Sequence, residues 1–136
     1  MKSITPQMRA SLKIKMLQYE SDAWKRALCF MADENIHLKT RLTDVLKNSG
    51  DEELLEQAEY FQNSFIKEDN VIYLLRDDIQ AFDRLLVREI FEDGAIVTAV
   101  VRKLKALRSG VGFAEQRFNN LKTEFNNYVL EYSLGQ

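Results

Sequence analysis

The chain has 136 residues, 46% hydrophobic and 29% charged, with a formal net charge of −2; this suits one domain with its own core and argues against nucleic-acid binding by bulk charge. A lone cysteine, Cys29, excludes an intramolecular disulfide framework and a cysteine-rich zinc site, and fits a cytoplasmic setting. No run of 18 apolar residues occurs and the first 16 residues interleave lysines with apolar residues, so neither a leader nor any membrane association is expected.

Thr5 followed by the single proline, Pro6, is an N-cap with proline at the first helical position, so the first helix is expected over about 6–47. Asn48-Ser49-Gly50-Asp51 stops it. Asp51 then caps a second helix over about 52–93, with Glu52 and Glu53 in the first turn, where the helix dipole favours negative charge. Glu92-Asp93-Gly94 is the second stop, and a third helix is expected over about 95–132.

All three segments carry apolar residues at alternating spacings of four and three. In the first the seam is Ile14, Leu17, Ser21, Trp24, Leu28, Met31, Asn35, Leu38, Leu42 and Val45. In the second it is Leu54, Ala58, Phe61, Phe65, Glu68, Ile72, Leu75, Ile79, Phe82 and Leu86. In the third it is Val100, Leu104, Leu107, Val111, Ala114, Phe118, Leu121, Phe125, Tyr128 and Tyr132. A sustained seven-residue repeat is the pattern of coiled-coil packing, and short connections make neighbouring helices antiparallel.

Residues at one height in an antiparallel pair have numbers of constant sum. Leu86 with Val100, Ile79 with Leu107, Ile72 with Ala114 and Phe65 with Leu121 share the sum 186, which centres on Asp93 in the expected turn. For the first two helices the turn permits sums of about 99 to 103, and 103 sets Asn35 opposite Glu68, so both seams are interrupted at nearly one height. The expected fold is therefore all-α, an elongated antiparallel three-helix (up-down-up) bundle with coiled-coil-like packing, one domain over residues 1–136. Charge agrees: residues 1–50 hold 9 basic and 5 acidic groups, 51–94 hold 4 and 13, and 95–136 hold 6 and 3, which places an acidic helix between two basic ones.

Asn35 and Glu68 are polar groups in apolar seams, and burial there costs stability unless each is hydrogen-bonded. They are expected to form a buried polar layer, bonded directly or through water, with Arg117 available to Glu68. Gly110 and Gly112 interrupt the third helix, each costing roughly 1 kcal/mol relative to alanine. Trp24 reaches their height, so its indole is expected to pack over the glycine backbone; a break in the helix is the other reading.

Three motifs bear on function. The stretch from Leu28 through Glu34, Asn35, Leu38, Lys39 and Arg41 to Leu42 resembles part of a leucine zipper, core asparagine included; the resemblance spans about 15 residues and implies coiled-coil packing. No strongly basic helix precedes it, so a zipper transcription factor is not implied. Glu34-x-x-His37 is similar to the ligand motif of four-helix di-iron proteins, which makes Glu34 and His37 a candidate metal pair, although the chain has one histidine. Arg102, Lys103, Lys105 and Arg108 are the densest basic cluster and would contact phosphates if presented on one face.

There is no phosphate loop, no nucleophile elbow and no second histidine, so no enzyme, cofactor or catalytic residue is assigned. Apolar residues beside the seams, among them Phe30, Ile36, Ile66, Tyr73, Leu74, Val87, Phe91, Val101, Phe113 and Val129, exceed what the seams use. The expected function is a non-catalytic helical scaffold or interaction protein, self-associating or with a protein partner. Nucleic-acid binding through Arg102–Arg108 and metal binding by Glu34 and His37 stand as alternatives.

Overall fold

The computed structural model describes residues 5–48, 51–92 and 98–134, which form three helices: α1 (Pro6–Lys47), α2 (Glu52–Glu92) and α3 (Thr98–Leu134). At ~1.5 Å per residue each is roughly 60 Å long. Thr5 Oγ1 accepts from the Met8 amide at 3.1 Å and Pro6 opens the helix, as the cap motif requires. At the other end of α1 the Asn48 amide donates to the Val45 carbonyl at 3.2 Å. Asp51 Oδ1 accepts from the Glu53 amide at 3.0 Å, which starts α2. The turn residues Gly50, Asp93 and Gly94, and the expected third-helix start at Ala95, lie outside the described residues. α3 runs unbroken through Gly110 and Gly112.

The course is up-down-up. Ser21 meets Asp83 and Asn35 meets Asp69, pairs that share the sum 104, so α1 and α2 are antiparallel. Glu68 with Arg117 and Leu75 with Gly110 share the sum 185, so α2 and α3 are antiparallel as well. Glu20 with Arg108 and Glu34 with Lys122 are each 88 positions apart, which is the mark of a parallel pair, α1 beside α3.

One hydrophobic cluster spans all three helices. All ten seam positions of α1 are buried; in α2 only Leu75, and in α3 only Leu104 and Tyr132, are half-exposed. Ser21, Asn35 and Glu68 are the buried polar residues among those described. Large rings fill the half of the core near the α2 N-terminus: Phe125 lies edge-on to Phe61 and Phe65 at centroid distances of 5.3 and 5.2 Å, and Tyr128 sits 5.0 Å from Phe61. Tyr128 donates its hydroxyl to the Leu54 carbonyl at 3.0 Å, and burial pushes its pKa up, with Tyr132 adding to the shift. No helix among the described residues is long and apolar enough to cross a membrane.

Candidate functional site

Asn35 and Glu68 are both buried, at 0% and 4% exposure, but no direct hydrogen bond joins them. Asn35 lies at a core position of α1, and its Nδ2 donates to the Phe65 carbonyl at 2.9 Å and to Asp69 Oδ1 at 2.8 Å. Lys39, one turn along α1, pairs with the other Asp69 oxygen. The direct Asn35–Glu68 bond is thus replaced by Asn35–Asp69, because the residue that flanks the α2 seam on the α1 side is Asp69. Glu68 is approached from α3, where an Arg117 guanidinium nitrogen lies 3.7 Å from Oε1. Asn35 Oδ1 and Glu68 Oε2 are left as buried acceptors with no donor. Burial raises the Glu68 pKa, and the Arg117 charge opposes the shift only in part.

A second polar cluster lies nearer the start of α1. Ser21, fully buried, donates to Asp83 Oδ1 at 2.6 Å, and Lys25 lies 2.6 Å from Oδ2 of the same carboxylate. The hydrogen bond to Asp83 holds the Lys25 pKa above its ordinary value.

Trp24 does not cover the glycines. Its indole packs against Phe82 with centroids 5.5 Å apart. A Cβ on Gly110 would stand 3.1 Å from Leu75 Cδ2, whereas one on Gly112 would meet nothing within 4 Å. Equal height on two helices does not fix the direction in which a side chain points, and Trp24 points toward α2. Leu75 is the residue that fits over Gly110.

The Glu34 carboxylate is engaged by Lys122 of α3, and His37 is exposed. Among the described residues no three His, Cys, Asp or Glu side chains come together as a metal-binding group. Arg108 Nε donates to both oxygens of Glu20, at 3.0 and 2.8 Å, and that bond raises its pKa. At roughly 100° per residue Arg102 and Lys105, three apart, share the outer side of α3, while Lys103 points about 100° away from Arg102 and Arg108 is engaged by Glu20, which leaves two neighbouring cations on that side. Cys29 is exposed and takes a weak donor contact from Arg76 at 3.6 Å.

The outer face of α1 carries a run of exposed apolar residues. Leu12, Met16 and Tyr19 repeat the four-three spacing of the seam on the opposite side of the helix, and they are 50%, 70% and 73% exposed. Met8 extends the stripe toward the N-terminus, and Phe30 continues it two turns beyond Ala23. Phe30 stands over a groove of about 380 Å³ between α1 and α3, floored by Ala27, Met31 and Phe118. The stripe was legible in the spacing, but interleaved lysines disguise it. Of the surplus apolar residues, Ile36, Ile66, Tyr73, Leu74, Val87, Val101 and Phe113 are also exposed, scattered over the three helices, while Val129 is half-buried.

No protein family, characterised protein or solved structure matches the chain, so the geometry alone carries the functional reading.

Proposed function

We propose that the protein is a non-catalytic helical interaction module, in which the bundle is a rigid support and the outer face of α1 is the docking element. The observation that carries this is the stripe Leu12, Met16, Tyr19, apolar at helical spacing on the side of α1 that the core does not use. A helix buried on one face needs apolar residues on one face only, and a second stripe confers no stability on the isolated chain. Aromatic and methionine side chains are enriched in the cores of protein interfaces, which suits Met16, Tyr19 and Phe30.

Site-specific photocrosslinking in cells that naturally contain the protein tests the reading. A crosslinker at Tyr19 should yield discrete adducts that a crosslinker at the exposed polar position Asn70 of α2 does not. Equal patterns from the two positions, or no adduct from Tyr19, would contradict it.

A further inference from the structure

The two ends of the bundle carry opposite charge. Residues 5–24, 80–92 and 98–113, which lie together at one end, hold nine basic and five acidic groups; residues 36–48, 51–68 and 118–134 at the other end hold five basic and nine acidic. The α1 stripe belongs to the basic end, where Arg9, Lys13 and Lys15 flank it and meet no carboxylate among the described residues.

The acidic end carries a complementary surface. A groove of about 510 Å³ runs between α2 and α3, with Tyr60, Phe61 and Tyr128 as its aromatic part and Glu56, Glu124 and Glu131 as carboxylates along it. Tyr60 is 54% exposed and donates its hydroxyl to Glu124 at 3.1 Å; none of the three carboxylates meets a cation among the described residues. From Glu124 to Glu131 and from Leu12 to Tyr19 the chain advances by the same two helical turns, about 10 Å.

Resting on the reading of α1 as a docking face, we propose that its outer stripe seats in the α2–α3 groove of a second copy of this chain, basic end against acidic end. Leu12, Met16 and Tyr19 cover the exposed Tyr60 ring and the apolar floor of the groove beside it, and the lysines beside them meet Glu56 and Glu131. Charge complementarity selects this occupant, because both halves of the contact are present on one chain. The stripe faces outward from α1, whereas the groove opens on the far side of the bundle from α1. One neighbour therefore cannot occupy both sites; the contact is head-to-tail and the assembly extends beyond two copies, as a ring or an open chain, unlike a two-fold dimer.

Sedimentation velocity on the full chain tests this with two variants at exposed positions, each checked for helicity: Met16→Asp/Tyr19→Asp at the stripe and the charge reversal Glu56→Lys/Glu131→Lys at the groove. The unmodified chain should associate beyond two copies as concentration rises, and association should weaken by on the order of tenfold when salt screens the charges. Each variant alone should be monomeric. Their equimolar mixture, which retains one intact stripe and one intact groove per pair, should form a 1:1 dimer and stop there. Association lost in the stripe variant but retained in the groove variant would overturn the groove as the site, and so would a mixture that stays monomeric. A chain that is monomeric at every concentration, yet binds phosphatidylserine vesicles through the stripe, would overturn self-association in favour of a membrane surface. A monomer whose Tyr19 crosslinks to a different protein overturns this pairing but leaves the docking face standing; a monomer with no such adduct overturns both.

Discussion

Asp69 and Asp83 stand fourteen residues apart on α2, and each receives two donors from α1 residues that are themselves fourteen apart. Asp69 takes Asn35 and Lys39; Asp83 takes Ser21 and Lys25. The arrangement is one clamp used twice: a small polar residue in the core, a lysine one turn later, and one carboxylate between them. Sliding α2 along α1 would break both clamps at once, so they fix the register of a pair that apolar seams alone would leave free to slip.

Removing either carboxylate should therefore destabilise the fold. Asp69→Ala deprives the Asn35 amide of a partner inside the core, and Asp83→Ala does the same to the Ser21 hydroxyl; each should cost about 1–3 kcal/mol. The clamps lie roughly 20 Å apart along the helices, so the losses should add in the double variant when chemical unfolding is compared. A loss well short of additive would mean that the two clamps are not independent.

Glu68 should make stability fall as pH rises. Its pKa in the fold is raised above the ordinary carboxyl value by burial, so its favourable contribution is complete below that ordinary value and is lost as pH climbs through the raised one. Protonation at Oε2 would also turn one of the two buried acceptors that lack a donor into a donor. Glu68→Gln should flatten this limb of the stability profile, and Glu68→Leu should leave stability at neutral pH unchanged or raise it by about 1–2 kcal/mol. A large drop in melting temperature for Glu68→Leu would show that the charged carboxylate is needed, and would point to a ligand held there.

The two glycines of α3 should respond differently to alanine. Gly112 is exposed with open space around it, so Gly112→Ala should stabilise by about 1 kcal/mol through helix propensity. At Gly110 the new methyl would press on Leu75 Cδ2 at 3.1 Å, so the same gain should be reduced or cancelled. Combining Gly110→Ala with Leu75→Ala should show coupling in a double-mutant cycle, whereas Gly110→Ala with Trp24→Ala should be additive. The reverse pattern would restore Trp24 as the neighbour.

The helices and their inward faces could be read from the chain because period and punctuation act locally. Thr5-Pro6 and Asp51 mark the starts of α1 and α2, and the four-three spacing selects positions that are buried or half-buried in every helix. What needed the structure was the direction of side chains at the seam's edge. Asp69 and Asp83 look like any solvated helical carboxylate until α1 is placed beside them, and Glu68 draws attention because it sits in the seam. The same limit misdirected Trp24, whose height was legible but whose heading was not. The outer stripe of α1 obeys the same spacing rule as the seam, yet a rule that assigns one apolar face per helix passes over a second.

The most direct test of the docking account is an intermolecular distance. A nitroxide is attached at Gln18→Cys, an exposed position of α1 beside the stripe but outside it, in a Cys29→Ser chain, which is mixed with isotopically labelled, unmodified chain, and amide signals of the labelled copy are followed for line broadening. The account predicts broadening concentrated around residues 56–60 and 124–131, the two walls of the α2–α3 groove. Broadening centred on α1 of the labelled copy, or no broadening at any concentration, would contradict it.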